Sequence, residues 1–142
     1  MPAEMAATSR TFFVETGEWL WPSPAVPEDR VGYPPITQIA KLEHDRVVID
    51  DRFMPVVRAA KHRAAVQPPF ELLYEPRRGQ ATYRLYKLDD DPLADVDVSD
   101  RYPERAAELK DALRRSVLRF PFMIEVDGYF LTRPPPPPEE YW

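Results

Sequence analysis

The sequence contains no cysteine, so disulfide bonds, thiolate metal sites and a cysteine nucleophile are all excluded. Glycine is scarce, with 4 residues among 142, and the sequence holds no glycine-rich phosphate loop. It also lacks a His-Glu-x-x-His zinc motif and a Gly-x-Ser-x-Gly nucleophile elbow. We therefore expect no self-sufficient active site, no catalytic residue, and no metal or cofactor bound by this chain itself.

Long apolar runs and excess positive charge are also missing. No run approaches the ~20 residues of a membrane-spanning helix, and the first ten residues have one arginine and no apolar core of the secretory kind. With 24 acidic and 19 basic side chains the net charge is -5, whereas phosphate contacts need clustered Lys and Arg. We expect no membrane partner, no nucleic-acid partner and, for the chain as written, a cytoplasmic location.

Proline is abundant, with 18 residues, well above the usual ~5%. A chain of 142 residues fits one domain. We divide it into a disordered lead-in over residues 1–10, one folded unit over residues 11–133 and a proline-rich tail over residues 134–142. The run Pro134 to Pro138 predicts extended polyproline, and the prolines between residues 22 and 35 predict an ordered surface loop.

Residues 61–119 carry the strongest structural signals. Apolar residues alternate with charges in Phe70–Tyr74 and Thr82–Leu88, which predicts two antiparallel strands joined by a turn at residues 77–80. After an acidic loop, Pro103 begins an amphipathic helix, with an apolar face formed by Ala106, Leu109, Leu113 and Val117. Burying the larger of these side chains would contribute ~1.5 to 3 kcal/mol each.

Shorter patterns flank this region. They predict a strand at Thr11–Val14, a helix at Ile36–Leu42, a strand at Arg46–Ile49 and a helix at Arg52–Arg58. Asp127-Gly128 between apolar runs is a strong signal for a late β-hairpin. Together these patterns predict an α+β fold, in which a small antiparallel sheet of about four strands has one C-terminal amphipathic helix packed across it.

Three consecutive cationic or titratable residues, Lys61, His62 and Arg63, are the candidate binding residues. Arginine offers a planar fork and lysine a point charge, so the cluster could hold a sulfate, phosphate or carboxylate. The alternative interpretation is a solvated start of a strand with exposed charges. The other histidine, His44, has charged neighbours and is expected at the surface.

The acidic loop invites a calcium interpretation, because six aspartates lie between residues 89 and 100. An EF-hand loop needs glycine at its sixth position and glutamate at its twelfth, where the register from Asp89 has Ala94 and Asp100. The register fails, so we expect a solvated loop with local Asx turns and no metal.

Four motifs in order resemble the C-terminal part of sulfatases, the formylglycine-dependent branch of the alkaline phosphatase superfamily. In that family a strand with "KLIY.P" precedes "YELYDL..DP", a short acidic loop and "HPE....LK..L". The corresponding motifs here are Leu72–Pro76, Tyr83–Leu88, Asp91-Pro92 and Tyr102-Pro103-Glu104. The similarity spans roughly residues 11–118, with Arg84 and Lys87 standing where the family prefers Glu and Asp.

The resemblance implies a hydrolase of sulfuric esters whose larger N-terminal domain holds the formylglycine nucleophile, in a Cys/Ser-x-Pro-x-Arg motif, and the calcium ligands. This sequence contains neither. By analogy the chain is a subdomain that closes one side of the substrate pocket, with Lys61, His62 and Arg63 contacting the sulfate or the leaving-group sugar or phenol. Its expected partners are the missing N-terminal sulfatase domain, or a second chain, and a sulfated small molecule or sugar. Alone it is expected to be inactive.

Two other hypotheses remain open. The polyproline tail and several aromatic residues, including Trp19, Trp21, Tyr141 and Trp142, are typical of a non-catalytic protein-interaction module. A small catalytic domain acting through His62 and nearby acids is the third. If the chain normally packs against a larger partner, it should expose an apolar face when it is alone. The candidates for that face are Phe12, Phe13, Trp19 and Trp21.

Overall fold

A four-stranded antiparallel sheet organises the computed structural model, which describes residues 10–16, 29, 31 and 36–134. The strands are β1 (Phe12–Glu15), β2 (Ala40–Glu43), β3 (Arg46–Ile49), β4 (Arg63–Gln67), β5 (Phe70–Arg77), β6 (Gln80–Lys87), β7 (Met123–Val126) and β8 (Tyr129–Thr132). The helices are α1 (Ile36–Ile39), α2 (Met54–Ala59) and α3 (Pro103–Leu118), with a 3-10 turn at Asp51–Phe53. The sheet has the order β1-β4-β5-β6, while β2-β3 and β7-β8 are separate hairpins.

Strands β5 and β6 form the predicted central hairpin, with longer strands than the sequence pattern indicated. Their two-residue turn is Arg78-Gly79, and Gly79 has φ +85°, a conformation that residues with a side chain rarely adopt. Pro76 fits within β5 because β4 pairs only with Phe70–Tyr74, so no partner needs its missing N–H. The carbonyl of Pro76 instead accepts a hydrogen bond from Val31 N at 3.0 Å.

Helix α3 packs across one face of the sheet and confirms the predicted α+β arrangement. Pro103 lies in its first turn with Glu104, and Arg115 lies in the last turn, as the helix dipole favours. Its three buried apolar residues, Leu109, Leu113 and Val117, join a core that also contains Ala65, Phe70, Leu72, Tyr74, Leu85, Met123 and Phe130. The apolar residues of α3, which recur at 3.6-residue spacing, therefore pack against one face of β4, β5 and β6.

The late hairpin β7-β8 is confirmed and connects two cores. Asp127 and Gly128 have φ of 50° and 84°, typical of the turn that joins adjacent strands with two residues. Phe130 belongs to the main core, whereas its neighbours Tyr129 and Leu131 pack on α2 in a second cluster. The N–H of Phe130 also donates to the Tyr74 hydroxyl at 3.2 Å, so this hairpin is fixed to the centre of the sheet.

The acidic loop between β6 and α3 covers the outer edge of β6. Leu85 N donates to Asp97 Oδ1 and to Ser99 Oγ, both at 3.1 Å, and Val98 N donates to Leu85 O at 2.7 Å. Partial burial acts to raise the pKa of the Asp97 carboxyl, but hydrogen bonds from Ser99 and Leu85 outweigh it and lower that pKa. The loop therefore satisfies backbone groups that an open edge would expose.

The predicted helix at Ile36–Leu42 is wrong in its second half. The helix ends at Ile39, and Ala40–Glu43 forms β2, paired antiparallel with β3. The cause is the two-residue turn at His44 and Asp45, whose φ values of 49° and 60° bring the two strands together. The other short predictions hold, because β1 lies at Phe12–Glu15, β3 at Arg46–Ile49 and α2 at Met54–Ala59.

Several predictions fall outside the described residues. They concern most of the lead-in, the loop between residues 22 and 35 apart from Asp29 and Val31, the aromatic residues Trp19 and Trp21, and residues 135–142 of the tail. The domain boundaries at residues 10 and 133 therefore stay predictions.

Two neighbouring tyrosines provide a test of this core. Burial raises the pKa of Tyr74 to about 12, and its neutral hydroxyl accepts from Phe130 N. The buried Tyr83 hydroxyl has no hydrogen-bond partner among the described residues. We expect Tyr74→Phe to lower the free energy of unfolding by ~1 kcal/mol, and Tyr83→Phe to leave it unchanged or raise it by up to ~1 kcal/mol. Urea unfolding followed by circular dichroism measures both; a larger loss for Tyr83→Phe would contradict this packing.

Candidate functional site

The three candidate binding residues lie where the chain passes from α2 into the sheet. Helix α2 ends at Ala59, Ala60 caps it, and Lys61 N donates to Arg58 O at 3.4 Å. His62 follows, and Arg63 is the first residue of β4. The register places Arg63 directly opposite Glu15 of β1. The site is therefore built by three elements, α2, β4 and β1.

Arg63 is a buried cation with three acceptors. Its side chain is only 3% exposed. Its Nε donates to Glu15 Oε1 at 3.0 Å, its Nη1 to Lys61 O at 3.2 Å and its Nη2 to Arg58 O at 3.0 Å. Because burying an unpaired charge is costly, these acceptors are what makes the position tolerable. The guanidinium thus holds β1 and the end of α2 against β4.

Lys61 shares the same carboxylate. Its Nζ lies 3.4 Å from Glu15 Oε2, and its side chain is 24% exposed, so one oxygen of Glu15 faces each cation. Burial acts to raise the pKa of Glu15, but the charges and hydrogen bonds of Arg63 and Lys61 outweigh it and lower the pKa below its usual 4.5. Glu15 is therefore ionised at neutral pH and neutralises part of the cluster.

His62 is buried and fixed through its backbone. Thr16 N donates to His62 O, and His62 N donates to Thr16 Oγ1, both at 3.0 Å. These two bonds continue the pairing of β1 and β4 by one residue. The interpretation of this region as a solvated strand start is thus wrong for His62 and Arg63, because β1 and the end of α2 enclose both.

A cleft between β1 and the last two turns of α3 opens beside this cluster. We call it the β1–α3 cleft. It has two adjoining lobes of about 210 and 170 Å³, which share Glu15, Arg63, Val117 and Phe120. The first lobe is also lined by Phe13, Val14, Leu113, Ser116 and Arg119, and the second by Arg58, Lys61, Phe122 and Met123. Four cations and one carboxylate therefore surround a largely apolar surface.

Arg58 and Arg119 are the cations of this cleft that form no ion pair with a carboxylate among the described residues. Instead, Arg58 lies over the Phe122 ring at 4.9 Å from its centroid, and Arg119 lies over the Phe120 ring at 4.9 Å. The two rings stack on each other with centroids 5.6 Å apart. An anion reaching the cleft from solvent would meet these two guanidinium groups and Lys61.

No protein-family model matches the chain, and neither a curated protein nor a solved structure matches it. The sulfatase resemblance therefore stays a hypothesis carried by four motifs.

The described residues contain no group of three or more His, Cys, Asp or Glu that could hold a metal ion. In the acidic loop, Asp89 and Asp90 instead pair with Lys87, at 3.0 and 2.6 Å. His44 is exposed in the turn of the β2-β3 hairpin, as predicted. Over the same part of the chain, no helix has the length and apolar character needed to cross a membrane.

Sequence reasoning missed the residues that complete this site. Glu15 was not recognised as the counter-charge because it lies 46 to 48 positions from its partners. Arg58, Arg119 and Phe120 come from the ends of two helices that meet only in the folded chain. The alternation of Phe13 and Glu15 within β1 was the one local signal, since such residues share a face of a strand.

Protonation of Glu15 should loosen β1. Because its pKa is lowered on folding, its contribution is present above pH 4.5 and is lost as the pH falls through the lower folded value. Because solvent screens this half-exposed carboxylate, we expect the free energy of local opening of β1 to fall by only ~1 kcal/mol. That change lowers the hydrogen-exchange protection of the Thr16 amide about fivefold. Glu15→Gln should show the reduced protection at every pH. Glu43→Gln, in the separate β2-β3 hairpin, is the control; equal effects from both would contradict the assignment.

Proposed function

We propose that this chain is the C-terminal subdomain of a sulfatase-like hydrolase and that it contributes to the substrate pocket of the complete enzyme. The observation that carries the proposal is the placement of the four motifs on successive elements. Leu72–Pro76 lies in β5, Tyr83–Leu88 covers the second half of β6 and the residue after it, Asp91-Pro92 lies in the acidic loop and Tyr102-Pro103-Glu104 begins α3. The resemblance implies this order of strand, strand, acidic loop and helix.

The two departures from the family pattern have local partners. Arg84 pairs with the buried carboxylate of Glu75 on the neighbouring strand. Lys87 pairs with Asp89 and Asp90 at the start of the acidic loop. Both cations are thus compensated within the subdomain, so they do not argue against the proposed relationship.

Within the proposed pocket, Lys61, His62 and Arg63 would have different roles. Lys61 is the partly exposed member, and its ammonium can turn toward a sulfate without leaving a buried charge behind. Arg63 and His62 are buried, and they position Lys61 by holding β1, β4 and α2 together. Hydrolysis itself needs a nucleophile and a metal site from the larger domain, which is the reason to expect no activity from this chain alone.

The surface of β1 supports a larger partner. Phe12, Phe13 and Val14 are 51%, 45% and 54% exposed, so three consecutive apolar residues face solvent. Strand β1 pairs with β4 on one side, and its other edge has no strand partner among the described residues. An apolar edge of this kind fits a subdomain that packs on another domain. The alternative of a module acting through a polyproline tail depends on residues 135–142, which lie outside the described part.

Reconstitution tests the proposal. The partner to supply is the product of a neighbouring reading frame that carries Cys-x-Pro-x-Arg, with calcium and an aryl sulfate as substrate. We expect turnover only when both chains are present. Lys61→Ala should lower kcat/KM of the mixture by roughly tenfold, the loss of one charge-assisted hydrogen bond of ~1.5 kcal/mol.

Lys41→Ala is the matched control for that experiment, because Lys41 lies in the β2-β3 hairpin and should leave kcat/KM unchanged. Robust turnover by the isolated chain would overturn the claim that it is inactive alone. A mixture with no turnover, or the absence of any such reading frame, would count against the split-enzyme form of the proposal.

The isolated chain should self-associate through β1. We expect Phe12→Ser with Val14→Ser to weaken that association by roughly tenfold or more, because two exposed apolar side chains are removed from the contact. Analytical ultracentrifugation measures the dissociation constant. The control is Leu42→Ser with Val47→Ser, which removes two side chains of 74% and 73% exposure from another hairpin. A monomeric wild type, or equal effects from both double variants, would contradict this role of β1.

A further inference from the structure

The β1–α3 cleft combines cations with exposed aromatic rings. Phe120 and Phe122 are 43% and 42% exposed although they stack on each other, and each has an arginine over its ring. Arg119 and Lys61 lie in different lobes, so positive charge is present along the whole cleft. Exposed stacked aromatics are the type of surface on which proline-rich segments dock. An acidic, proline-rich segment would therefore be complementary to it.

The chain itself continues into such a segment from the rim of this cleft. Arg133 N donates to the backbone carbonyl of Phe122 at 2.7 Å, so the chain reaches Pro134 next to the backbone of a residue that lines the second lobe. The sequence then reads PPPPEEYW over residues 135–142, which supplies four prolines, two carboxylates and two aromatic side chains.

The lengths also agree. Four residues of polyproline helix advance ~12 Å, at about 3.1 Å per residue. From Leu113 to Leu118, where the helix ends, the wall formed by α3 extends ~8 Å, at about 1.5 Å per residue. A segment leaving Pro134 beside the second lobe can thus carry its glutamates and aromatics into the first lobe.

We propose that the β1–α3 cleft is the docking site for residues 135–142 of the same chain. In this arrangement the prolines cover the Phe120 and Phe122 rings, and Glu139 and Glu140 meet Lys61 and Arg119. Tyr141 and Trp142 then contact the apolar wall of the first lobe. The tail would shield Lys61 from other anions, so the cleft would have an occupant encoded in its own sequence. The docking does not rest on the sulfatase proposal, although both assign an anionic partner to Lys61.

A cysteine pair tests the docking in the full chain, because the natural sequence has no cysteine to compete. Ser116 lines the first lobe, whereas Arg115 is exposed on α3 and does not line the cleft. We expect Ser116→Cys with Tyr141→Cys to form an intramolecular disulfide at least roughly tenfold faster than Arg115→Cys with Tyr141→Cys, because docking raises the local concentration of the tail. Non-reducing electrophoresis and mass spectrometry measure the rates under a glutathione buffer.

A second pair, Val14→Cys with Tyr141→Cys, serves if the Ser116 variant does not fold, as judged by circular dichroism, because Val14 also lines the first lobe. Equal rates for cleft and control pairs would overturn the proposal. Disulfide-linked dimers in place of the intramolecular product would also overturn it, since they would place the tail on a second copy.

Charge variants test the proposed chemistry of the contact. Adding Glu139→Lys and Glu140→Lys should slow the cross-link between the cysteines at positions 116 and 141 to the rate of the Arg115 control. With the natural glutamates in place, raising the salt concentration should also slow that cross-link. A cross-link that is insensitive to both changes would overturn the assigned pairing of the glutamates with the cations.

Discussion

The burial of α3 against the sheet is the constraint on which the rest of the structure depends. Leu109, Leu113 and Val117 fill one face over β4, β5 and β6, and the late hairpin completes the same core through Met123 and Phe130. This packing fixes where α3 ends, and so fixes the position of Phe120 and Phe122 beside β4. Because the hairpin also packs on α2, one continuous set of apolar contacts places the ends of α2, α3 and β7-β8 around the same point.

A buried guanidinium occupies that point. Arg63 is tolerated in the interior because Glu15 and two backbone carbonyls accept its hydrogen bonds. The same carboxylate pairs with Lys61, so Glu15 neutralises part of the positive charge of the cluster. What remains available to solvent is a rim of cations, Arg58, Lys61 and Arg119, on an apolar cleft. In the proposed function, the rim would therefore bind the anion and the buried centre would position the rim.

Local sequence patterns correctly predicted the helices, strands and turns whose signals come from residues close together in the sequence. The period of α3, the alternation in β5 and β6 and the Asp127-Gly128 turn each depend on neighbours in sequence, and each was confirmed. The helix predicted at Ile36–Leu42 failed at its second half because the His44-Asp45 turn pairs β2 with β3, and pairing overrides a weak helical period. The failed EF-hand register of the acidic loop was also a local signal, but the role of that loop at the edge of β6 depends on contacts with Leu85.

The sequence by itself determined the α+β class, the apolar face of α3 and the presence of three consecutive basic residues at positions 61–63. Those features follow from spacing, turn residues and residue type, which are local properties. Only the tertiary structure decided that Arg63 is buried, that Glu15 is its counter-charge and that two helix ends frame an aromatic cleft. The reason is that burial and ion pairing depend on which distant segments share a sheet register, and no local period encodes that choice.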